Sequence, residues 1–244
     1  MAKRVLRALS RVPLVGRATL FFRSYVNGNL WRMVATYVAN RRRYRAVAHP
    51  WKVIWIDPAD IVWRVRVPDD QFERWRHGFV HGGDWDRVGL RRAHDLDKPR
   101  SMRQHFTEGL PWEETDLFRI RYAEMLASGQ SVKGHRSMSA LVTHYEAIYD
   151  ALWQDMAKRG IVGPTWRDPL PTYIEVHVGR DGQLIGTSNG NHRLGMAGAL
   201  GLRRIPARVA TRHEAWQQLR DVIARDASAA ANHRDHPDLT DLVR

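Results

Sequence analysis

The residues best suited to chemistry gather in one short run, Ser188-Asn189-Gly190-Asn191-His192-Arg193. Leu184-Ile185 precedes it, and an Ala-rich stretch from Leu194 to Leu200, closed by Gly201, follows as a helix. A helix N-terminus leaves unpaired N–H groups and partial positive charge, and glycine permits close backbone approach, so this turn favours an anion. His192 and Arg193 add side-chain donors, and Arg can grip phosphate bidentately. An ordinary capped helix uses the same residue types, because Ser and Asn are common caps.

Two further groups hold carboxylates. Glu175 lies in the alternating run Thr172 to Val178, opposite the stripe Ile174, Val176 and Val178. Facing the turn, it is a candidate general base or metal ligand, with His177 assisting; solvent exposure or a salt bridge is the plainer reading. The second group is His77-Gly78-Phe79-Val80-His81-Gly82-Gly83-Asp84-Trp85-Asp86. Asp84 and Asp86 are candidate metal ligands, but the spacing fits no established metal motif. A turn locked by the two Asp bonding backbone amides, with Trp85 as anchor, is favoured. Such a turn could also form the far wall of a phosphate site and supply Asp84 as its carboxylate.

These residues need a scaffold of strands and helices. Trp51–Ile56 and Ile61–Val67 read as strands. Ser101–Glu108, Asp116–Leu126 and Ser137–Arg159 read as helices, the last with Leu141, Tyr145, Ile148, Tyr149, Leu152 and Met156 on one face and Gly160 as C-cap. Arg180-Asp181-Gly182-Gln183 is a hairpin turn, Ile205–Val209 a short strand with Pro206 at an edge or start, and Thr211–Ile223 a last helix. His213 opens that helix behind Arg212, facing either the site or the surface. The tail 227–244 shows little periodicity and is expected to be loosely held, with His233 and His236 exposed.

The order Ile174–Val178, glycine turn, Asn189–Arg193, small-residue helix, Leu200-Gly201-Leu202 and Ile205-Pro206-Ala207-Arg208-Val209 is similar to the ParB/sulfiredoxin superfamily. The resemblance covers Thr172 to His213. The whole chain also resembles a prokaryotic family carrying a Gly-Gly-Asp-Trp-Asp turn upstream of this domain, here Gly82–Asp86. The resemblance implies an α+β fold: a small mixed sheet with flanking helices, a helical insertion at 100–160, and a site for a nucleotide of ATP or CTP type with Mg²⁺. His192 and Arg193 match its phosphate-binding pair; Ser188, Asn189, Gly190 and Asn191 complete the turn. Asn191 stands where sulfiredoxins need cysteine, and the chain has none, so that activity is excluded. Asn189 stands where kinase-like members carry Asp, which removes a potential base or metal ligand.

Charge is unevenly spread. Of the +13 net charge over 244 residues, residues 1–50 carry 11 Lys and Arg and no Asp or Glu. That basic arm, 1–49, is drawn to an acidic membrane surface or a nucleic acid, or docks on its own domain at 50–226. Val5, Leu6, Leu9 and Val12 share one helical face, and Leu30, Trp31, Val34, Tyr37 and Val38 another. An acid-poor, Arg-rich start also resembles a transit peptide, although the periodicity runs past one. No apolar run spans a bilayer. The leading expectation is a cytoplasmic enzyme binding a nucleotide or phosphorylated small molecule, a phosphotransferase or nucleotide hydrolase. The alternatives are a non-catalytic ParB-like DNA-binding protein and a protein peripheral at the inner membrane surface acting on envelope glycans.

Overall fold

A computed structural model describes residues 29–65, 78–163 and 174–243. The expected face of Val5 to Val12, the strand end at Arg66-Val67, His77, Thr172 and Tyr173 lie outside the described residues.

The fold is α+β. A mixed sheet of seven strands runs β1 (Val53–Ile56), β7 (Ile205–His213), β5 (Ile174–Val178), β6 (Leu184–Gly186), β2 (Trp63–Val65) and β4 (Leu90–Arg92). The seventh strand, β3 (Phe79–His81), pairs with β7 beyond the end of β1. Strand β7 is longer than the expected Ile205–Val209, because its first half pairs with β1 and its second with β3. Pro206 sits at its start, opposite Trp55. The stretch from Thr211 to His213, expected as helix, is therefore strand, and α7 begins at Glu214 and ends at Ile223. The Arg180–Gln183 turn joins β5 to β6 as an antiparallel hairpin.

Period-two alternation in β5 predicted one buried and one wet face. All five residues are buried instead, because β5 is central and covered on both sides. Ile174, Val176 and Val178 join the main core with Ile54, Ala207 and Val209. Glu175 and His177 occupy the other face, Glu175 beside Arg208 of β7.

Helices fill the chain between β4 and β5. Helix α2 (Asp97–Phe106) starts four residues before the expected Ser101. A π-helical turn, Leu117–Tyr122, runs into the short α3 (Ala123–Ala127). The expected long helix is α4 (Met138–Tyr145) and α5 (Ala151–Arg159), joined by a π-helical stretch, Glu146–Asp150. That extra residue per turn shifts the buried face: Leu141, Tyr145, Tyr149 and Met156 pack inward, while Ile148 turns outward, 47% exposed. Helix α6 (Asn191–Ala199) then lies against α2.

Residues 33–49 dock on the domain. In α1 (Asn29–Arg43) the side chains of Leu30 and Trp31 lie outside the described residues, and Tyr37 packs edge-on to His49. Met33 is buried, Asn40 Nδ2 donates to the Gly78 carbonyl at 3.0 Å, and the Tyr44 hydroxyl donates to Glu214 at 2.9 Å. Polar anchors thus select the face, and Val34 and Val38 point away from it.

The tail is not loose. Asp238 is fully buried and accepts hydrogen bonds from Arg212 at 2.8 and 2.6 Å and from the Trp216 indole at 3.0 Å. Arg220, also fully buried, lies 3.4 Å from it, and Lys52 donates to its backbone carbonyl at 2.7 Å. His236 donates to Gly182 and packs at a tilt against Trp216, and His233 meets the same ring edge-on, so neither is simply exposed. One carboxylate therefore joins the chain before β1, the end of β7, α7 and the tail.

Burial pushes the Asp238 carboxyl up, but Arg212, Arg220 and Lys52 outweigh it and hold it below the ordinary carboxylate range. A depressed carboxyl stabilises above its unfolded pKa and loses that contribution as pH falls below it. Asp238→Asn leaves two buried guanidinium groups under-compensated and is expected to cost about 3–5 kcal/mol, read by urea denaturation at neutral pH. An unchanged midpoint would show that the tail does not hold the fold together.

Candidate anion-binding site

The turn before α6 owes its shape to Gly190. Its φ of +82° lies in the left-handed region, and a Cβ there would stand 2.8 Å from the Cα of Ile174. Only glycine fits, so the helix start is pressed against the first residue of β5. Asn189 N–H donates to Thr187 Oγ1 at 3.0 Å, and buried Asn191 donates to the Ser188 carbonyl at 3.2 Å. The expected Ser or Asn cap is absent: Gly190 is the N-cap, and no side chain caps the helix. Ser188 and Asn189 are exposed, and Asn191 braces the turn instead of reaching outward.

Helix α2 meets α6 one turn later. At Gly195 a Cβ would lie 2.7 Å from Pro99 Cα and 2.9 Å from its carbonyl oxygen, so the two backbones touch there. Contact at Pro99 brings its neighbour Lys98 to the start of α6. From the other side comes Lys133, in the turn between Gly129 and Gly134. Its φ of +52° is left-handed, a conformation a lysine adopts at a cost of order 1–2 kcal/mol. The Lys133 ammonium donates to the Tyr149 hydroxyl at 2.6 Å and lies over the Tyr149 and Tyr145 rings, 5.0 and 5.3 Å from their centroids.

His192 sits among these groups. Its ring stacks on Tyr149 at 4.4 Å, and its Nε2 shares a 3.3 Å hydrogen bond with the Tyr145 hydroxyl. Tyr145 in turn bonds Tyr122 at 2.7 Å. Both π-helical stretches thus supply a tyrosine to this chain. Burial, then the positive charges of Lys98, Lys133 and Arg193, push the His192 imidazole down to about 3. It is neutral at neutral pH, so it brings a hydrogen-bonding group and not the charge expected of it.

Lys98 feels its neighbouring cations as well. Burial and then Lys133, Arg121 and Arg64 lower the Lys98 ammonium, outweighing Asp97. Loss of water lowers Lys133, and burial lowers Arg193 against the opposing pull of Tyr149. Arg64 belongs here by register: it pairs with Gly186, which pairs with Val176, so it stands on the Ile174/Val176 face of the sheet. Positive groups from β2, α2, the 129–134 turn and α6 converge around an uncapped helix start. Such an arrangement suits an anion.

The expected carboxylates lie elsewhere. Glu175 points to the opposite sheet face. Asp84 and Asp86 sit by the β5–β6 hairpin, at the far end of β5, roughly 13 Å along the strand from Gly190. They do not form a far wall of the site. Both Asp86 oxygens accept from Arg180, whose backbone N–H also donates to Asp86 at 2.8 Å, and Arg180 reaches Asp84 at 2.8 Å. Trp85 donates to the His81 carbonyl and packs against His177 and His213, the anchor expected of it. His213 accepts from Ala215 N–H through Nδ1 and donates to Gly83 through Nε2, so it caps α7. Arg212 belongs to Asp238. Among the described residues no group of three His, Asp or Glu gathers to hold a metal.

No family model, no curated protein and no solved structure matches the chain. What the site can do therefore rests on its own residues. Lys98 and Lys133 went unnoticed in the sequence because nothing local marks them, and Tyr145 and Tyr149 were read only as the packing face of a helix. The one trace is a lysine set between two glycines at 129–134.

Burial also pushes His177 down to about 3. A histidine held neutral by the fold contributes stability above its unfolded pKa and loses it as pH falls from about 6.5 toward the folded value. Stability is expected to drop between pH 7 and pH 5 by on the order of 1–2 kcal/mol per buried histidine, and His192→Gln should flatten part of that slope. Urea denaturation across this range, with equal slopes for the variant and the parent, would contradict a buried neutral His192.

Proposed function

We propose that this protein binds a phosphate-bearing ligand, a nucleotide or a phosphorylated small molecule, at the N-terminus of α6. The carrying observation is the convergence of Lys98, Lys133 and Arg193 on His192 beside a helix start that no side chain caps. Lys98, Lys133 and Arg193 all disfavour a proton on His192, Lys133 also disfavours one on Lys98, and negative charge placed among them relieves that repulsion. Guanidinium, ammonium and backbone N–H donors are the groups that phosphate oxygens accept from. The succession of β5, β6, turn, α6 and β7, with Arg193 in the first turn of α6, supports reading this as a ParB/sulfiredoxin-like phosphate site.

The reading is of binding, not of phosphoryl transfer. Transfer calls for a group to orient or deprotonate the attacking oxygen, and nucleotide chemistry for carboxylates on Mg²⁺. Glu175, Asp84 and Asp86 do not fit a Mg²⁺ site: the first lies across the sheet and the other two are engaged by Arg180. Asn189 adds no acid to the turn. The cluster carries enough positive charge to hold phosphate without a metal.

A thermal-shift screen of inorganic phosphate, pyrophosphate, ATP, CTP and phosphorylated sugars, with and without Mg²⁺, tests this. At least one ligand is expected to raise the melting temperature without Mg²⁺. Lys98→Ala, Lys133→Ala and Arg193→Ala should each weaken its Kd by about 10–100-fold, as loss of a charge-assisted hydrogen bond does. No shift with any ligand, or a shift that survives all three substitutions, would sink the assignment.

A further inference from the structure

Helix α1 has two faces, and only one is used by the fold. Met33, Asn40 and Tyr44 turn toward the domain, and Arg43 reaches Glu214 at 2.5 Å. About a third of a turn round, Val34 and Val38 lie one helical turn apart, 41% and 46% exposed. The same face continues into Arg41 and Arg42, and Arg45 follows just past the helix end, all three exposed. Apolar side chains beside a row of guanidinium groups make an interfacial helix face: the first enter the acyl boundary, the second meet acidic headgroups.

From this we infer that α1 lies on an anionic lipid surface through Val34, Val38, Arg41 and Arg42, with Arg45 just past its end. Charge complementarity commits the face to that occupant. Residues 1–50 hold 11 Lys and Arg and no acidic residue, so two copies of this face repel each other. A nucleic-acid backbone would match the arginines, but it offers nothing to the two valines. The domain itself makes no rival claim, since its polar anchors already hold the other side of the helix. No helix among the described residues is long and apolar enough to cross a membrane, and an interfacial helix does not require one. The surface is independent of the α6 site: Arg193 takes no part in it.

The test is co-sedimentation of the full chain with vesicles of phosphatidylcholine alone and of phosphatidylcholine mixed with phosphatidylglycerol. Binding is expected to the mixed vesicles only and to weaken as salt rises. The double variant Val34→Asp/Val38→Asp should weaken binding at least about 10-fold, and Arg41→Gln/Arg42→Gln/Arg45→Gln should flatten the salt dependence. All five side chains are exposed, so an unchanged circular dichroism melt checks that both variants fold. Arg193→Ala should bind vesicles like the parent. Three results would overturn the inference: no binding to acidic vesicles, equal binding by the valine variant, or duplex DNA binding tighter than vesicle binding in the same buffer.

Discussion

One buried carboxylate holds this fold together. Asp238 stands between Arg212 of β7 and Arg220 of α7, with Lys52 at its edge, and all but the lysine are sealed from water. Two guanidinium groups cannot be buried side by side without a counter-charge, because desolvation alone would cost several kcal/mol per ion. The 3-10 turn Pro237–Leu239 that presents Asp238 is therefore part of the core and not an appendix to it. Leu239, fully buried next to the carboxylate, adds apolar contact to the same lock. The long strand β7 gains from this directly, since its end is fixed by Arg212 while its start is fixed by β1.

The other concentration of cations is built the opposite way. Around α6 the fold spends two close backbone contacts, Gly190 on Ile174 and Gly195 on Pro99, to bring Lys98 beside His192. It adds a lysine in left-handed conformation over two tyrosine rings. The tyrosines shield the ammonium from water without neutralising it, and burial raises Tyr145 and Tyr149 so that both stay protonated. At Asp238 positive charge is matched within the protein. At α6 it is gathered and partly dried beside the positive end of a helix that no side chain caps. An arrangement of that kind costs stability unless something outside the fold is drawn to it.

How much of this the sequence discloses follows physical range. The hairpin at Arg180–Gln183, the turn at Gly190 and the α6 helix rest on local rules and are legible. So is the arginine excess before residue 50. What fails are readings that depend on partners far along the chain. Alternation in β5 does not reveal that its second face is covered as well. Periodicity in α1 sets Val34 and Val38 on one apolar face without saying what that face meets, and the domain is held by Asn40 and Tyr44 because Gly78 and Glu214 offer them hydrogen bonds. The long helix at 137–159 hides one π-helical turn, Glu146–Asp150, that a period of 3.6 cannot show, and Tyr149 in that turn stacks on His192. Asp238 is invisible for the same reason: its tail lacks periodicity, and one charge at the right place does the work of an apolar stripe.

His192 shows how the two scales meet. In the sequence it stands beside Arg193 as a second positive donor for phosphate. In the fold its own neighbours deny it the proton: burial is the larger cause and the surrounding cations the next. The second cause is reversible. An anion placed among Lys98, Lys133 and Arg193 offsets their field, and the imidazole then recovers part of its basicity while it remains within hydrogen-bond reach of Tyr145. Ligand binding and protonation of this histidine are thereby linked, each favouring the other by the same free energy. The neutral ring is thus a consequence of burial first and of the site's charge second, and an anion there acts on the second alone.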